Sequence, residues 1–126
     1  MAEATGVLVL GETAGGELSL TSQELLAAAR RVADDIGEEL SIGLLGGSVE
    51  GAAQQAIHHG ADRVYAVTHP LLDQYQVDLY LAAMEALCRD ISPNIVLIGR
   101  TNEGRELAPR LAFRLGVGLA QDCLEV

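Results

Sequence analysis

Lysine is missing from this chain, and all eight of its basic residues are arginine. That excludes a phosphate-loop lysine, a Schiff-base nucleophile and a lysine general base. Tryptophan is missing as well. Tyr65, Tyr75, Tyr80 and Phe113 are the only aromatic side chains, so the core must be built from Leu, Ile, Val and Ala. Cysteine is scarce: Cys88 and Cys123 are too far apart for a metal knuckle or a CxxC redox pair, and both read as small buried hydrophobes. No apolar run approaches the roughly 20 residues needed to cross a bilayer, so no membrane insertion is expected. Met1-Ala2-Glu3-Ala4 offers neither a basic segment nor a long apolar one, so no signal peptide is expected and the expected location is cytoplasmic. Positive charge is short overall, with 18 acidic residues giving a net charge of −10. Phosphate backbones repel such a chain, so nucleic-acid binding is not expected.

What is present is the pattern of one α/β domain. The chain has 126 residues, 49% of them hydrophobic, which is enough for a single continuous core and too much for a disordered segment. Val7-Leu8-Val9-Leu10 predicts a buried strand, and 11–16 a glycine-rich loop. Thr21 with Glu24 has the spacing of a capping box, and Leu25, Ala29, Val32 and Ile36 then share a helical face closed by Gly37. A second strand is predicted over 40–45, and Ser48 is placed to cap a short helix running to about Ile57, with Gly60 as its stop. A third strand over 63–67 is followed by His69-Pro70 and by a helix over about 76–90, with Leu79, Ala83, Leu87 and Ile91 in register. Ile95 to Ile98 predicts a fourth strand, the next helix reaches Leu115 and stops at Gly116, and Asp122 to Val126 reads as a fifth strand. Strands alternating with helices of this length imply right-handed crossovers. The fold class is therefore α/β, a three-layer sandwich with a mostly parallel, Rossmann-like sheet.

Few residues carry catalytic chemistry. Neither Gly11-Glu12-Thr13-Ala14-Gly15-Gly16 nor Gly46-Gly47-Ser48-Val49-Glu50-Gly51 has the spacing of a dinucleotide or phosphate loop. The second puts Gly-Gly-Ser at a helix start, where amides attract anions, but Glu50 in that first turn already answers the dipole. His58 and His59 end a helix and His69 sits in a turn, so no metal pair or Ser/His/Asp order emerges. Asp34, Asp35, Glu38, Glu39, Glu103 and Glu106 read as a solvated acidic face. No catalytic residue and no metal ligand is expected.

The unit after the fourth strand is different. Thr101 is placed to cap the helix, and Gly104 costs a helix roughly 1 kcal/mol against alanine, so something must approach its backbone closely. Pro109 has no amide to donate to the Arg105 carbonyl, which predicts a kink or a late start. Arg100, Arg105, Arg110 and Arg114 gather half of the basic charge here. Two readings stand side by side: an amphipathic helix covering the sheet with Leu107, Leu111 and Leu115 inward, or a docking or anion-binding surface with Thr101, Gly104 and Arg105 as candidate contacts.

Gly104-Arg105-Glu106-Leu107-Ala108-Pro109-Arg110 and Leu115-Gly116-Val117-Gly118-Leu119-Ala120-Gln121-Asp122-Cys123 resemble the helix and tail of the alpha subunit of electron transfer flavoproteins. The opening, Val7 to Glu12 and Glu24 to Arg30, is similar too, as is Gly60-Ala61-Asp62-Arg63-Val64-Tyr65. The resemblance covers essentially the whole chain and implies a single N-terminal domain over 1–126, with the FAD-binding C-terminal domain absent. It implies a non-enzymatic scaffold that docks the beta subunit. The complete heterodimer would carry electrons from dehydrogenases through FAD to a quinone oxidoreductase or another acceptor. No FAD is expected on this domain alone. The other reading from the residues is a free-standing nucleotide-binding module of the universal stress protein type, with Gly46-Gly47-Ser48 and Thr101 to Arg105 holding phosphates.

Overall fold

The computed structural model describes residues 5–116, so the predicted strand from Asp122 and the environment of Cys123 lie outside the described residues. In chain order the elements are β1 (Val7–Leu10), β2 (Thr13–Ala14), β3 (Glu17–Leu18), α1 (Leu20–Ile36), β4 (Leu40–Gly46), α2 (Glu50–His58), β5 (Arg63–Thr68), a 3₁₀ turn (Pro70–Leu72), α3 (Val77–Ile91), β6 (Ile95–Ile98) and α4 (Asn102–Leu115). Four strands form one parallel sheet in the order β5-β4-β1-β6. β1 is central: Val7 registers with Leu40 on one side and Ile95 on the other. Alternation along that strand separates two cores. Val7 and Val9 pack with Leu26, Ala29 and Ala33 of α1 and Ala52 and Ala56 of α2. Leu8 and Leu10 pack with Leu81, Met84 and Leu87 of α3 and Leu107 and Leu111 of α4. The result is the three-layer α/β sandwich expected from the alternating elements.

Several local details differ from the sequence expectation. The cap of α1 is Ser19, whose hydroxyl accepts from the Ser22 amide, and Thr21 lies inside the helix. The buried stripe of α1 is Ser22, Leu26, Ala29 and Ala33, while Ile36 is exposed. Leu25 and Val32 flank that stripe, partly buried against the core. The glycine-rich loop is a two-stranded hairpin rather than open loop: Thr13 pairs with Leu18, and Gly15 and Gly16 turn the chain at φ of +60 and +81. Two consecutive positive φ values are what a tight primed turn requires, and only glycine takes both at no steric cost. α2 begins without a side-chain cap; Ser48 is exposed and does not serve as one. α4 starts directly after Thr101 and runs through Pro109 to Leu115, so it does not begin late.

The ends of β4 and β5 are clamped by Asp62. Its carboxylate accepts from the Leu40 amide at 2.9 Å and from Arg30 at 3.1 Å, and Arg30 also donates to the Gly60 carbonyl at 2.8 Å. The Leu40 amide holds this carboxyl below its ordinary range against partial desolvation, with Arg30 adding to it. Its contribution to stability is therefore present above the ordinary carboxylate pKa and lost as pH falls through the depressed value.

Candidate functional site

Strand order decides where a site can form. The chain steps outward from β1 to β4 and β5, then returns to the other side of β1 for β6. Helices α1 and α4, which follow β1 and β6, sit on opposite faces. The carboxyl ends of β1 and β6 therefore frame the crevice in which open α/β sheets usually hold ligands. A cleft of about 160 Å³ lies at this edge, lined by residues that include Glu12, Asp73, Tyr75, Tyr80, Glu103 and Gly104.

Each wall is positioned by backbone contacts. The Glu12 amide donates to the buried Ser22 hydroxyl at 2.8 Å, and the Glu12 carbonyl accepts from the Ser19 amide at 2.9 Å. So fixed, the Glu12 carboxylate accepts from the Thr101 hydroxyl at 2.5 Å. Thr101 caps α4 as expected, its Oγ1 accepting from the Gly104 amide at 3.0 Å. The close approach foreseen at Gly104 is also present, but the approaching group is internal. A Cβ there would overlap the Gly99 carbonyl oxygen and lie 3.1 Å from the Gly99 carbonyl carbon and from Ile98 Cγ2. Arg105 points to solvent. Of the three candidate contacts, Thr101 and Gly104 are brought together at the crevice and Arg105 is not.

The other helix start is closed in the same way. A Cβ at Gly47 would lie 2.7 Å from Asp73 Oδ1, so a carboxylate stands over the Gly46-Gly47-Ser48 turn. Asp73 arrives on the segment between β5 and α3. Two tyrosines hold that segment down: the Tyr80 hydroxyl donates to the Leu72 carbonyl at 2.7 Å, and the Tyr75 hydroxyl donates to Glu106 of α4 at 2.5 Å. Their rings meet edge to face at 5.1 Å. Burial, and then the Glu106 carboxylate, push the Tyr75 phenol well above its ordinary range.

The electrostatics of the crevice are thus set by carboxylates. Burial raises the Glu103 carboxyl above its ordinary range, and Glu12 and Glu106 raise it further. A raised native pKa means that the folded chain holds this proton more tightly than the unfolded one. The associated stability is present below the ordinary glutamate value near 4.3 and is lost as pH rises through the raised value. Removing the neighbouring charge with Glu12→Gln is expected to move the Glu103 titration midpoint down, read from the side-chain carboxyl carbon by NMR. An unmoved midpoint would show that the two carboxylates do not sense each other.

A pyrophosphate does not fit this edge. Dinucleotides and their analogues rest on free helix-start amides, whereas here Glu12 and Glu103 stand at α4 and Asp73 and Glu50 at α2. The volume is also below the roughly 300–1,000 Å³ of ordinary small-molecule pockets. Glu12, Asp73, Tyr75 and Tyr80 were not singled out by sequence reasoning. The one available signal was that Glu12 directly follows the first strand and its terminal glycine.

The remaining reactive groups lie elsewhere. Cys88 is buried in the α3–α4 core, its thiol pushed up to about 11 by burial, so it is not a thiolate nucleophile near neutral pH. His58, His59 and His69 are all exposed. Among the described residues no three His, Cys, Asp or Glu side chains group to hold a metal ion, and no helix is long and apolar enough to cross a membrane.

Comparison with known proteins adds identity to this geometry. The family model described as electron transfer flavoprotein domain matches residues 7–126. The chain is 40% identical over its full length to the electron transfer flavoprotein subunit alpha of Megasphaera elsdenii, covering 37% of that protein. It is 41% identical over its full length to Protein FixB of Clostridium saccharobutylicum, again covering 37%. With the electron transfer flavoprotein subunit alpha of Bacillus subtilis it shares 39% identity over 120 residues, 95% of this chain and 36% of the relative. The chain thus spans little more than a third of the length of these relatives.

Proposed function

The chain belongs to the electron transfer flavoprotein family, as a domain of the alpha-subunit type, and we propose that this domain is a non-catalytic scaffold. It docks the beta subunit and carries, in the longer protein, the part that holds FAD. The assembled heterodimer takes electrons from dehydrogenases and passes them through FAD to a quinone oxidoreductase or another acceptor. One observation carries the scaffold reading: the crevice where this fold ordinarily receives phosphates is occupied by the chain's own carboxylates, Glu12, Asp73 and Glu103. The same carboxylates count against a free-standing nucleotide-binding module, because like charges that close together repel at low dielectric.

The test uses the purified chain with FAD and with the beta subunit of an electron transfer flavoprotein. The expected result is a colourless protein after removal of free flavin, and co-elution with the beta subunit in gel filtration. A stoichiometric flavin spectrum retained by the isolated chain would sink the scaffold reading. Micromolar ATP or AMP binding in a calorimetric titration would favour the nucleotide module instead.

A further inference from the structure

The outer face of α4 is unlike the rest of the surface. Gly104, Leu107 and Leu111 are turned into the core, which leaves Arg105, Pro109, Arg110 and Phe113 outside, all four exposed. Arg105, Pro109 and Phe113 follow one another at i, i+4 and i+8, so they form one stripe, with Arg110 beside it. Phe113 is 87% exposed, ahead of Leu20 at 69% and every other exposed large hydrophobic among the described residues. Arg114, one residue on, is held by Glu85, which also binds Arg89. Arg105 and Arg110 form no ion pair among the described residues. Pro109 presents an apolar ring and no amide, so the middle of the stripe is rigid and offers solvent no donor.

Aromatic side chains, phenylalanine among them, and arginine are enriched at protein interfaces relative to the rest of the surface. We propose that this ridge seats against the second subunit of the heterodimer, Phe113 entering an apolar socket and Arg105 and Arg110 meeting carboxylates on its rim. The proposal rests on the scaffold reading above. Charge complementarity favours an acidic surface on that partner. The chain carries −10 overall, so an acidic partner is repelled by most of its surface and favours a face where two cations, Arg105 and Arg110, stand close to an exposed aromatic ring with no ion pair among the described residues. Two copies of this chain, each at −10, repel each other, which disfavours self-association through the same ridge.

The experiment is isothermal titration of the full chain with a purified electron transfer flavoprotein beta subunit, at low and high salt. The original chain binds, more weakly as salt rises. Phe113→Ser weakens binding at least tenfold, and Arg105→Glu combined with Arg110→Glu does so too while reversing the salt dependence, because the new carboxylates repel those on the rim until salt screens them. Arg31→Glu, an exposed change on α1, leaves affinity unchanged, and unaltered thermal melts confirm that all variants fold. Binding by the original chain and every variant alike would overturn the ridge and leave the scaffold reading standing. No binding by the original chain overturns both. A concentration-dependent dimer abolished by Phe113→Ser would assign the ridge to a second copy, and the proposal would fall.

Discussion

Gly104→Ala is expected to destabilise the chain by about 3 kcal/mol or more, although the same exchange at an open helix position gains up to about 1 kcal/mol. The reversal comes from what surrounds the site. The added Cβ would overlap the Gly99 carbonyl oxygen, and two further atoms, the Gly99 carbonyl carbon and Ile98 Cγ2, stand at 3.1 Å. The obstacle is backbone rather than the end of a flexible side chain, and Thr21 of α1 packs close beside Gly99, since a Cβ there would lie 3.0 Å from Thr21 Cγ2. Neither side can move without lifting α4 off the end of β6. Gly43 makes a useful contrast. Its added Cβ would also be too close, at 2.5 Å, but to Leu87 Cδ2, the end of a flexible side chain that can rotate away. At several degrees per kcal/mol for a domain of this size, the Gly104→Ala melting midpoint should fall by roughly 10 °C or more. A midpoint equal to or above that of the original chain would show that α4 is not seated on the Gly99 carbonyl.

The same pair of glycines shows how far the sequence could be read. A close approach at Gly104 was legible from the helix-propensity cost of a glycine in the first turn. The identity of the approaching group was not, because a ligand and a neighbouring carbonyl demand the same missing Cβ. Thr101 as cap, Gly116 as stop, and Leu107 and Leu111 as the inner face were legible because each depends on residues within a turn or two. Ser19 was missed for Thr21 for a different reason. Thr21 with Glu24 satisfies the local capping pattern, and what decides for Ser19 is its amide bond to the Glu12 carbonyl and the burial of Ser22 against Glu12. The carboxylates that close the crevice were illegible for the same reason. Glu12 and Thr101 are 89 residues apart, and Asp73 reaches the Gly47 turn from the far side of β5. Pairings at that range are set by topology, which alternation of strands and helices indicates only in outline.

The largest loss in the core is expected at Leu8→Ala, about 3–5 kcal/mol. Leu8 is fully buried at the middle of the central strand, with β4 and β6 hydrogen-bonded on either side of it. Its side chain belongs to the core shared by Leu10, Leu81, Met84, Leu87, Leu107 and Leu111. Collapse around the missing atoms would require α3 and α4 to move toward a strand that two neighbours hold in place, so most of the cavity should remain. Phe113→Ala sets the scale from the other end. It removes a larger side chain, the only phenylalanine in the chain, yet at 87% exposure it should change stability by no more than about 0.5 kcal/mol. Urea unfolding of both variants decides the matter. If Leu8→Ala costs no more than Phe113→Ala, the α3–α4 layer is not packed on β1. A large loss at Leu8 beside a negligible one at Phe113 separates the residue that holds the fold from the one left outside it, and frees Phe113 to be tested for binding without a folding defect.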